Sequence, residues 1–134
     1  VYKRQEERNS NVVNGQRTNK LTSFQCSDSL WVFDRVFKRL LFYSDAGKLK
    51  SSVSVKDIET NDLLVQDPQD NSIYLIRGMS KSYRIMKVNP DGTLSNETRV
   101  KKNGRVETLR VLNTTLYYSE DLGNVSLIRR VNLN

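Results

Sequence analysis

The chain contains no histidine, one cysteine and two prolines in 134 residues. Without histidine the commonest general base of enzymes is missing, so a catalytic hypothesis has to depend on carboxylates. A lone Cys26 cannot form a disulfide within the chain, which excludes the disulfide framework of small secreted modules. We expect a small buried thiol at Cys26, with a bridge to another chain as the alternative.

Long apolar runs are also missing, and none approaches the roughly 20 residues that a membrane-spanning helix needs. We therefore predict no membrane span. The sequence has no Gly-rich phosphate loop, no metal-binding Cys or His spacing and no nucleophile elbow. It begins with Val1 and lacks a signal-peptide core there, so we expect a processed product or part of a longer protein.

What the sequence does contain is a repeat with a period of 43 residues, seen in Leu30-Trp31-Val32, Ile73-Tyr74-Leu75 and Leu116-Tyr117-Tyr118. A second segment, Ile85 to Asn89, recurs with the same period as Ile128 to Asn132. Units of about 40 to 45 residues with short alternating strands have the size of one four-stranded propeller blade. The repeat therefore predicts an all-β protein of about three antiparallel blades.

The predicted organisation is a polar arm or linker at residues 1–20, followed by blades near residues 21–62, 63–105 and 106–134, the last of them incomplete. Eight runs have strand-like composition; they are Ser29 to Asp34, Leu40 to Ser44, Leu63 to Val65, Ser72 to Ile76, Tyr83 to Val88, Val106 to Leu112, Thr115 to Ser119 and Val125 to Val131. Asn103-Gly104 is a strong two-residue hairpin signal at a position where a propeller needs a crossing between blades. An antiparallel meander or barrel is therefore the alternative fold.

Leu116 to Glu120, followed by Ile128 to Leu133, resembles a YWTD repeat of the LDL-receptor class B type. The corresponding motifs of the other copies start at Trp31 and Tyr74, and only the first keeps the aspartate, as Asp34. The turn at Pro90-Asp91-Gly92 is similar to those of NHL-type and lactonase-type propellers. The resemblance covers about residues 29 to 134.

This resemblance implies that three blades form half of a six-bladed propeller. A blade buries its faces only against its neighbours, so half a ring exposes apolar sheet and unpaired edges. We therefore predict that a second chain or a second copy completes the ring, or that residues outside this sequence do. On the same grounds we expect the isolated chain to self-associate or to fold poorly.

The net charge of +7 favours an anionic partner. Basic and aromatic residues recur between the second and third strands of the first two blades, and we predict that they bind a protein partner with acidic loops; they are Arg35, Phe37, Lys38, Arg39, Arg77, Lys81 and Tyr83. The alternative is that these lysines and arginines are simply solvated. Nucleic acid is disfavoured because acidic residues are interspersed and no nucleic-acid-binding motif is present.

A calcium-dependent hydrolase is the second functional hypothesis, because lactonase-like propellers, which the chain also resembles, place oxygen ligands at strand ends. The candidate ligands share that position; they are Asp34, Asp45, Asp91, Glu120 and the adjacent Asp121. Turn hydrogen bonds are the alternative role for these carboxylates. We otherwise predict no metal and no cofactor, and the sequence favours a non-enzyme.

Three Asn-X-Ser/Thr sequons, at Asn96, Asn113 and Asn124, favour a glycosylated protein of the secretory pathway. Together these features predict an extracellular propeller module that presents one loop face to a protein partner. The third hypothesis is an intracellular propeller fragment that belongs to a large assembly.

Overall fold

A computed structural model describes residues 20–134, which form antiparallel strands and turns without a helix in that range. The predicted polar arm falls on residues 1–19, outside the described residues, except for Lys20. The chain divides into two compact units, one ending at Asn61 and the other running from Asp62 to Asn134. The all-β fold class is confirmed.

The first unit contains one four-stranded sheet whose strands lie side by side in chain order. Its strands are β1 (Leu21–Cys26), β2 (Ser29–Asp34), β3 (Arg39–Tyr43) and β4 (Leu49–Ser54). Aromatic residues dominate one face, because Trp31 lies directly opposite Phe42 and their rings meet edge to face at 5.0 Å. Phe33 on the same face is buried, with its ring 6.0 Å from that of Phe24. Such cross-strand aromatic pairs stabilise a sheet.

The second unit contains two sheets, the second and third of the chain. The second sheet has β5 (Leu63–Gln66), β6 (Ile73–Gly78), β7 (Ser82–Val88) and β8 (Leu94–Lys101). The third has only β9 (Arg105–Leu112), β10 (Thr115–Asp121) and β11 (Ser126–Asn132), with β10 in the middle.

Each unit of the 43-residue repeat corresponds to one sheet. Trp31, Tyr74 and Tyr117 occupy β2, β6 and β10, each the second strand of its sheet, and the segments at Ile85 and Ile128 occupy the third strands β7 and β11. The sheets stay separate and do not close into a barrel, so the barrel alternative is set aside. Successive antiparallel sheets of four, four and three strands are consistent with partial propeller blades.

Three strands, β1, β4 and β8, were not among the predicted runs. β4 and β8 each pair with a single neighbour at the edge of their sheet, and their sequences, LKSSVS and LSNETRVK, are mostly polar. An edge strand half exposed to water needs few apolar side chains, so its alternation is weak. The regular spacing of the sheets, rather than local composition, is the signal that could have placed these strands.

An apolar core holds the second and third sheets together. Eight buried residues form it, from β6 to β8 on one side and from β9 to the chain end on the other; they are Tyr74, Ile76, Ile85, Val100, Val111, Leu116, Tyr118 and Leu133. The second sheet is apolar on its other face as well, where Ile73 and Leu75 are fully buried. A strand buried on both faces explains the continuous apolar run of β6.

Asp67 links the same two sheets by hydrogen bonds. Its carboxylate lies after β5, is buried, and accepts the backbone N–H groups of Asn113 at 3.0 Å and Thr114 at 2.8 Å in the β9–β10 turn. Gln69 donates a third backbone N–H at 2.9 Å. Burial raises the pKa of Asp67, but the N–H groups of Thr114, Gln69 and Asn113 outweigh it, so the pKa lies below its ordinary value.

Replacing Asp67 by asparagine tests this link, because the new side-chain amide would present its own N–H groups to backbone N–H donors. We expect Asp67→Asn to lower the free energy of unfolding by about 1.5–3 kcal/mol, the usual contribution of hydrogen bonds to a charged group. The control is Asp70→Asn, which removes the same charge from an exposed carboxylate that accepts one N–H from Ser72. Urea unfolding followed by circular dichroism measures both.

The pH dependence of the same measurement follows from the sign of the pKa shift. A lowered pKa in the folded state means that the stabilisation is complete above the ordinary value of 3.8 and disappears as the pH falls through the folded value. The difference in stability between the wild type and Asp67→Asn should therefore be constant near neutral pH and shrink below pH 3.8. A difference that persists undiminished at lower pH would contradict the proposed link.

Candidate partner-binding surfaces

The β2–β3 turn of the first unit presents two apolar side chains to solvent. Val36 is 56% exposed and Phe37 is 75% exposed. The Asp34 carboxylate accepts the backbone N–H groups of both residues, each at 3.1 Å. Lys38 follows in a left-handed conformation, with φ of 55°, and its carbonyl accepts the Val55 N–H at 2.8 Å. The turn is therefore held at both ends while Phe37 projects from it.

The two arginines of this turn have different surroundings. Arg35 is buried, and its guanidinium donates to the Thr60 carbonyl at 3.0 Å and to the Thr22 hydroxyl at 3.1 Å. It therefore fastens the turn to β1 and to the segment that follows β4, rather than facing a partner. Arg39 is exposed and donates to the Ser52 hydroxyl across the β3–β4 pair. Phe37, Lys38 and Arg39 are thus the predicted binding residues that lie at the surface here.

In the second unit, Arg77 near the end of β6 forms a bidentate ion pair with Asp62. Its Nε donates to Oδ1 at 2.9 Å and its Nη2 donates to Oδ2 at 2.8 Å. Both side chains are largely withdrawn from water, and a planar guanidinium matches a carboxylate well in this geometry. Arg77 therefore attaches β6 to the segment that precedes β5. Of the basic residues predicted here, Lys81 is the exposed one.

Lys102 attaches the β6–β7 turn to the crossing between the second and third sheets. Its ammonium group lies 4.4 Å from the centre of the Tyr83 ring and donates to the Met79 carbonyl. Its backbone N–H donates to the Lys81 carbonyl at 3.0 Å. Tyr83 is consequently half-buried beneath a cation, an arrangement that fixes its ring.

Glu120 holds the other side of the crossing. It is fully buried at the end of β10 and accepts the backbone N–H groups of Asn103 at 2.9 Å and Gly104 at 3.2 Å. The Arg129 guanidinium donates to its second oxygen at 2.6 Å. The pKa of Glu120 lies below its ordinary value, chiefly because the Arg129 guanidinium donates to the carboxylate and also because the Asn103 N–H does. Asn103-Gly104 is therefore a crossing between sheets, although its residues are typical of a hairpin.

These contacts assemble one end of the second unit, which we call the loop surface: residues 79–83, 102–104 and 121–125. Its exposed apolar side chains are Met79, Leu122 and Val125. Sequence reasoning did not single them out, because each is one apolar residue in a polar turn. The predicted residues Lys81 and Tyr83 lie here too.

The carboxylates considered as calcium ligands occupy separate positions. Asp34 accepts the turn N–H groups described above, and Asp91 accepts the Thr93 N–H at 3.0 Å and the Thr93 hydroxyl at 2.6 Å. Asp45 is exposed in the β3–β4 turn, while Glu120 is buried behind Arg129. Across residues 20–134, no group of three or more metal-binding side chains is arranged to hold an ion.

The three sequon asparagines are all exposed. Asn96 lies within β8 and Asn113 in the β9–β10 turn, both in left-handed conformations, with φ of 54° and 52°. Asn124 lies in the β10–β11 turn, within the loop surface. Cys26, at the end of β1, is half-buried.

No protein-family model matches the chain, and no curated protein sequence matches it significantly. The resemblance to YWTD repeats therefore remains a prediction. Within residues 20–134 no helix is long and apolar enough to span a bilayer.

Gly104 provides a test of the crossing, since a side chain there would collide with backbone. A Cβ at Gly104 would lie 2.3 Å from the Asp121 carbonyl oxygen and 2.8 Å from Leu122 Cδ2. We expect Gly104→Ala to destabilise the protein by about 1–3 kcal/mol, the usual cost of overpacking. Gly78→Ala is the control, because a Cβ there would lie 3.6 Å from its nearest neighbours, Lys102 Nζ and Tyr83 Cε1. Equal melting temperatures for the two variants in differential scanning calorimetry would contradict this account of the crossing.

Proposed function

We propose that the chain is an extracellular β-propeller module that binds an acidic protein partner through the β2–β3 turn. The observation that carries the proposal is the exposure of Val36 and Phe37 on a turn that Asp34 and the Val55 N–H hold in place. Rigid exposed aromatic side chains supply much of the binding energy in protein interfaces. A second chain or copy of the chain completes the ring of blades.

Charge supports the choice of an acidic partner. Lys38 and Arg39 follow Phe37 directly and are both exposed, and the whole chain carries a net charge of +7. Cations around an aromatic anchor raise the association rate with an acidic surface and disfavour basic ones. Within the second unit, Lys81, Met79 and Leu122 on the loop surface offer the same combination of cationic and apolar groups.

Peptide display tests the proposal without a known partner. A random phage-displayed peptide library is selected on the full chain, and the affinity of the enriched peptides is measured by fluorescence anisotropy. We expect acidic peptides with apolar anchors, and we expect Phe37→Ala to weaken their binding about 30-fold or more, as for an interface hot spot of about 2 kcal/mol. Raising the salt concentration should weaken binding further.

Leu49→Ala is the matched control for this experiment. Leu49 is also an exposed large apolar residue of the first unit, but it lies on the edge strand β4 rather than in the turn. Its substitution should leave the peptide affinity unchanged. Peptides that bind Phe37→Ala as tightly as the wild type would show that the turn is not the binding site.

Expression behind a secretion signal in cultured mammalian cells tests the extracellular assignment. Because Asn96, Asn113 and Asn124 are all exposed, we expect glycans that peptide-N-glycosidase F removes with a visible change in mobility. Changing Thr98, Thr115 or Ser126 to alanine should abolish one glycan each while leaving the asparagine in place. A secreted chain that carries no glycan at any of these positions would contradict the assignment.

A further inference from the structure

Within residues 20–134, one face of the third sheet carries apolar side chains that are exposed to solvent. In the second sheet, Tyr74 is 2% exposed and Ile85 is 1% exposed, because the third sheet packs on them. Their counterparts 43 residues later, Tyr117 and Ile128, are 37% and 83% exposed. The repeat thus places two apolar side chains on the third sheet at positions whose counterparts another sheet covers on the second. We call the face that carries Tyr117, Ile128, Arg110 and Arg130 the outer face.

The charges on the outer face indicate what kind of surface covers it. Arg110 and Arg130 lie directly opposite Tyr117 on the two neighbouring strands, and both are exposed. Two outer faces placed together would bring four guanidinium groups into contact, which like-charge repulsion disfavours. The covering surface therefore has to combine apolar contact with carboxylates.

The first unit carries a surface of that description. A cavity of about 310 Å³ lies at the end of the first sheet that contains the β1–β2 and β3–β4 turns. Its lining includes the apolar pair Leu30 and Tyr43, which face each other in the β2–β3 register, and the exposed carboxylates Asp28 and Asp45. We call this cavity the recess. It is at the lower end of the roughly 300–1,000 Å³ range of ligand-sized pockets.

The position of Leu30 in the repeat supports the match. Leu30 and Leu116 are equivalent in the 43-residue period, and Leu116 is one of the residues with which the third sheet covers the second. Leu30, in the recess, therefore occupies the repeat position that covers a neighbouring sheet. Tyr117, on the outer face, occupies the position that is covered. An aromatic ring between two arginines complements an apolar site that carries two aspartates.

We propose that the outer face of one copy of the chain docks head to tail on the recess of a second copy. Tyr117 enters the recess, and Arg110 and Arg130 pair with Asp28 and Asp45 of that copy. The proposal rests on the proposed function, in which a second chain or copy completes the ring of blades, and it specifies a second copy as that partner. It does not depend on the turn at Phe37.

A charge-swap experiment tests the contact. One variant carries Arg110→Glu with Arg130→Glu, and the other carries Asp28→Lys with Asp45→Lys. Each variant alone faces like charges, so we expect its self-association to be at least about 100-fold weaker than that of the wild type. Mixed together, the two variants present opposite charges at both types of contact and should associate one to one. Sedimentation velocity of full-length chains measures all three cases.

Lys50→Glu with Lys56→Glu is the control, since it changes the net charge by the same amount at two exposed lysines outside both surfaces. It should self-associate like the wild type. A wild-type chain that stays monomeric, a mixture of folded swap variants that fails to associate, or swap variants that associate as tightly as the wild type would each overturn the proposal.

A cross-linking measurement decides the case if a swap variant does not fold. The chain with p-benzoylphenylalanine at Tyr117 is mixed with uniformly ¹⁵N-labelled wild type and irradiated. The expected product joins residue 117 of one copy to the segment 25–47 of the labelled copy, and the absence of such a product overturns the proposal. Titration of either swap variant with the selected peptides separates this proposal from the binding role of Phe37. The affinity for the peptides should be retained when self-association is lost.

Discussion

Burial of apolar sheet faces is the constraint on which the rest of the structure depends. The second sheet places apolar residues on both faces, with Tyr74, Ile76 and Ile85 beneath the third sheet and Leu75 on the opposite side. Each fully buried side chain of this kind contributes about 1.5–3 kcal/mol relative to leaving it in water. A sheet with two apolar faces is therefore stable only between neighbours, and the third sheet is the neighbour on one of these faces.

Charged side chains add polar contacts to the apolar ones, because polar groups withdrawn from water need hydrogen-bond partners. The repeat provides these contacts with different residues at one position. Asp34, Arg77 and Glu120 are equivalent in the period and are the last or next-to-last residues of β2, β6 and β10. Asp34 accepts two N–H groups of its own turn, Arg77 pairs with Asp62, and Glu120 accepts the N–H groups of the crossing. In the second and third sheets, the residue at this position thus attaches the end of the second strand to the segment just before the first strand.

The sheet-forming residues could be predicted because their signal is periodic. Trp31, Tyr74 and Tyr117 recur at a fixed spacing, and the strands that contain them are where the repeat placed them. The roles of the charged residues could not be predicted in the same way, because nothing local distinguishes a buried Arg35 from an exposed Lys38. The Asn103-Gly104 pair shows the reason most clearly. Its sequence favours a hairpin, but the pair is a crossing between sheets, where Glu120, seventeen residues from Asn103 and sixteen from Gly104, accepts both N–H groups.

The division between buried and exposed charges also determines where recognition can occur. Arg35 and Arg77 donate hydrogen bonds from their guanidinium groups to Thr60 and Asp62 within the fold. The recognition that we propose must therefore use residues that the fold does not bury, and Phe37 is the most exposed aromatic side chain among the large hydrophobic residues of the described chain. The same argument applies to Ile128, which the repeat makes apolar and the third sheet leaves in water. Such a side chain is withdrawn from water only when another surface lies on it, which is the contact that we propose for the outer face.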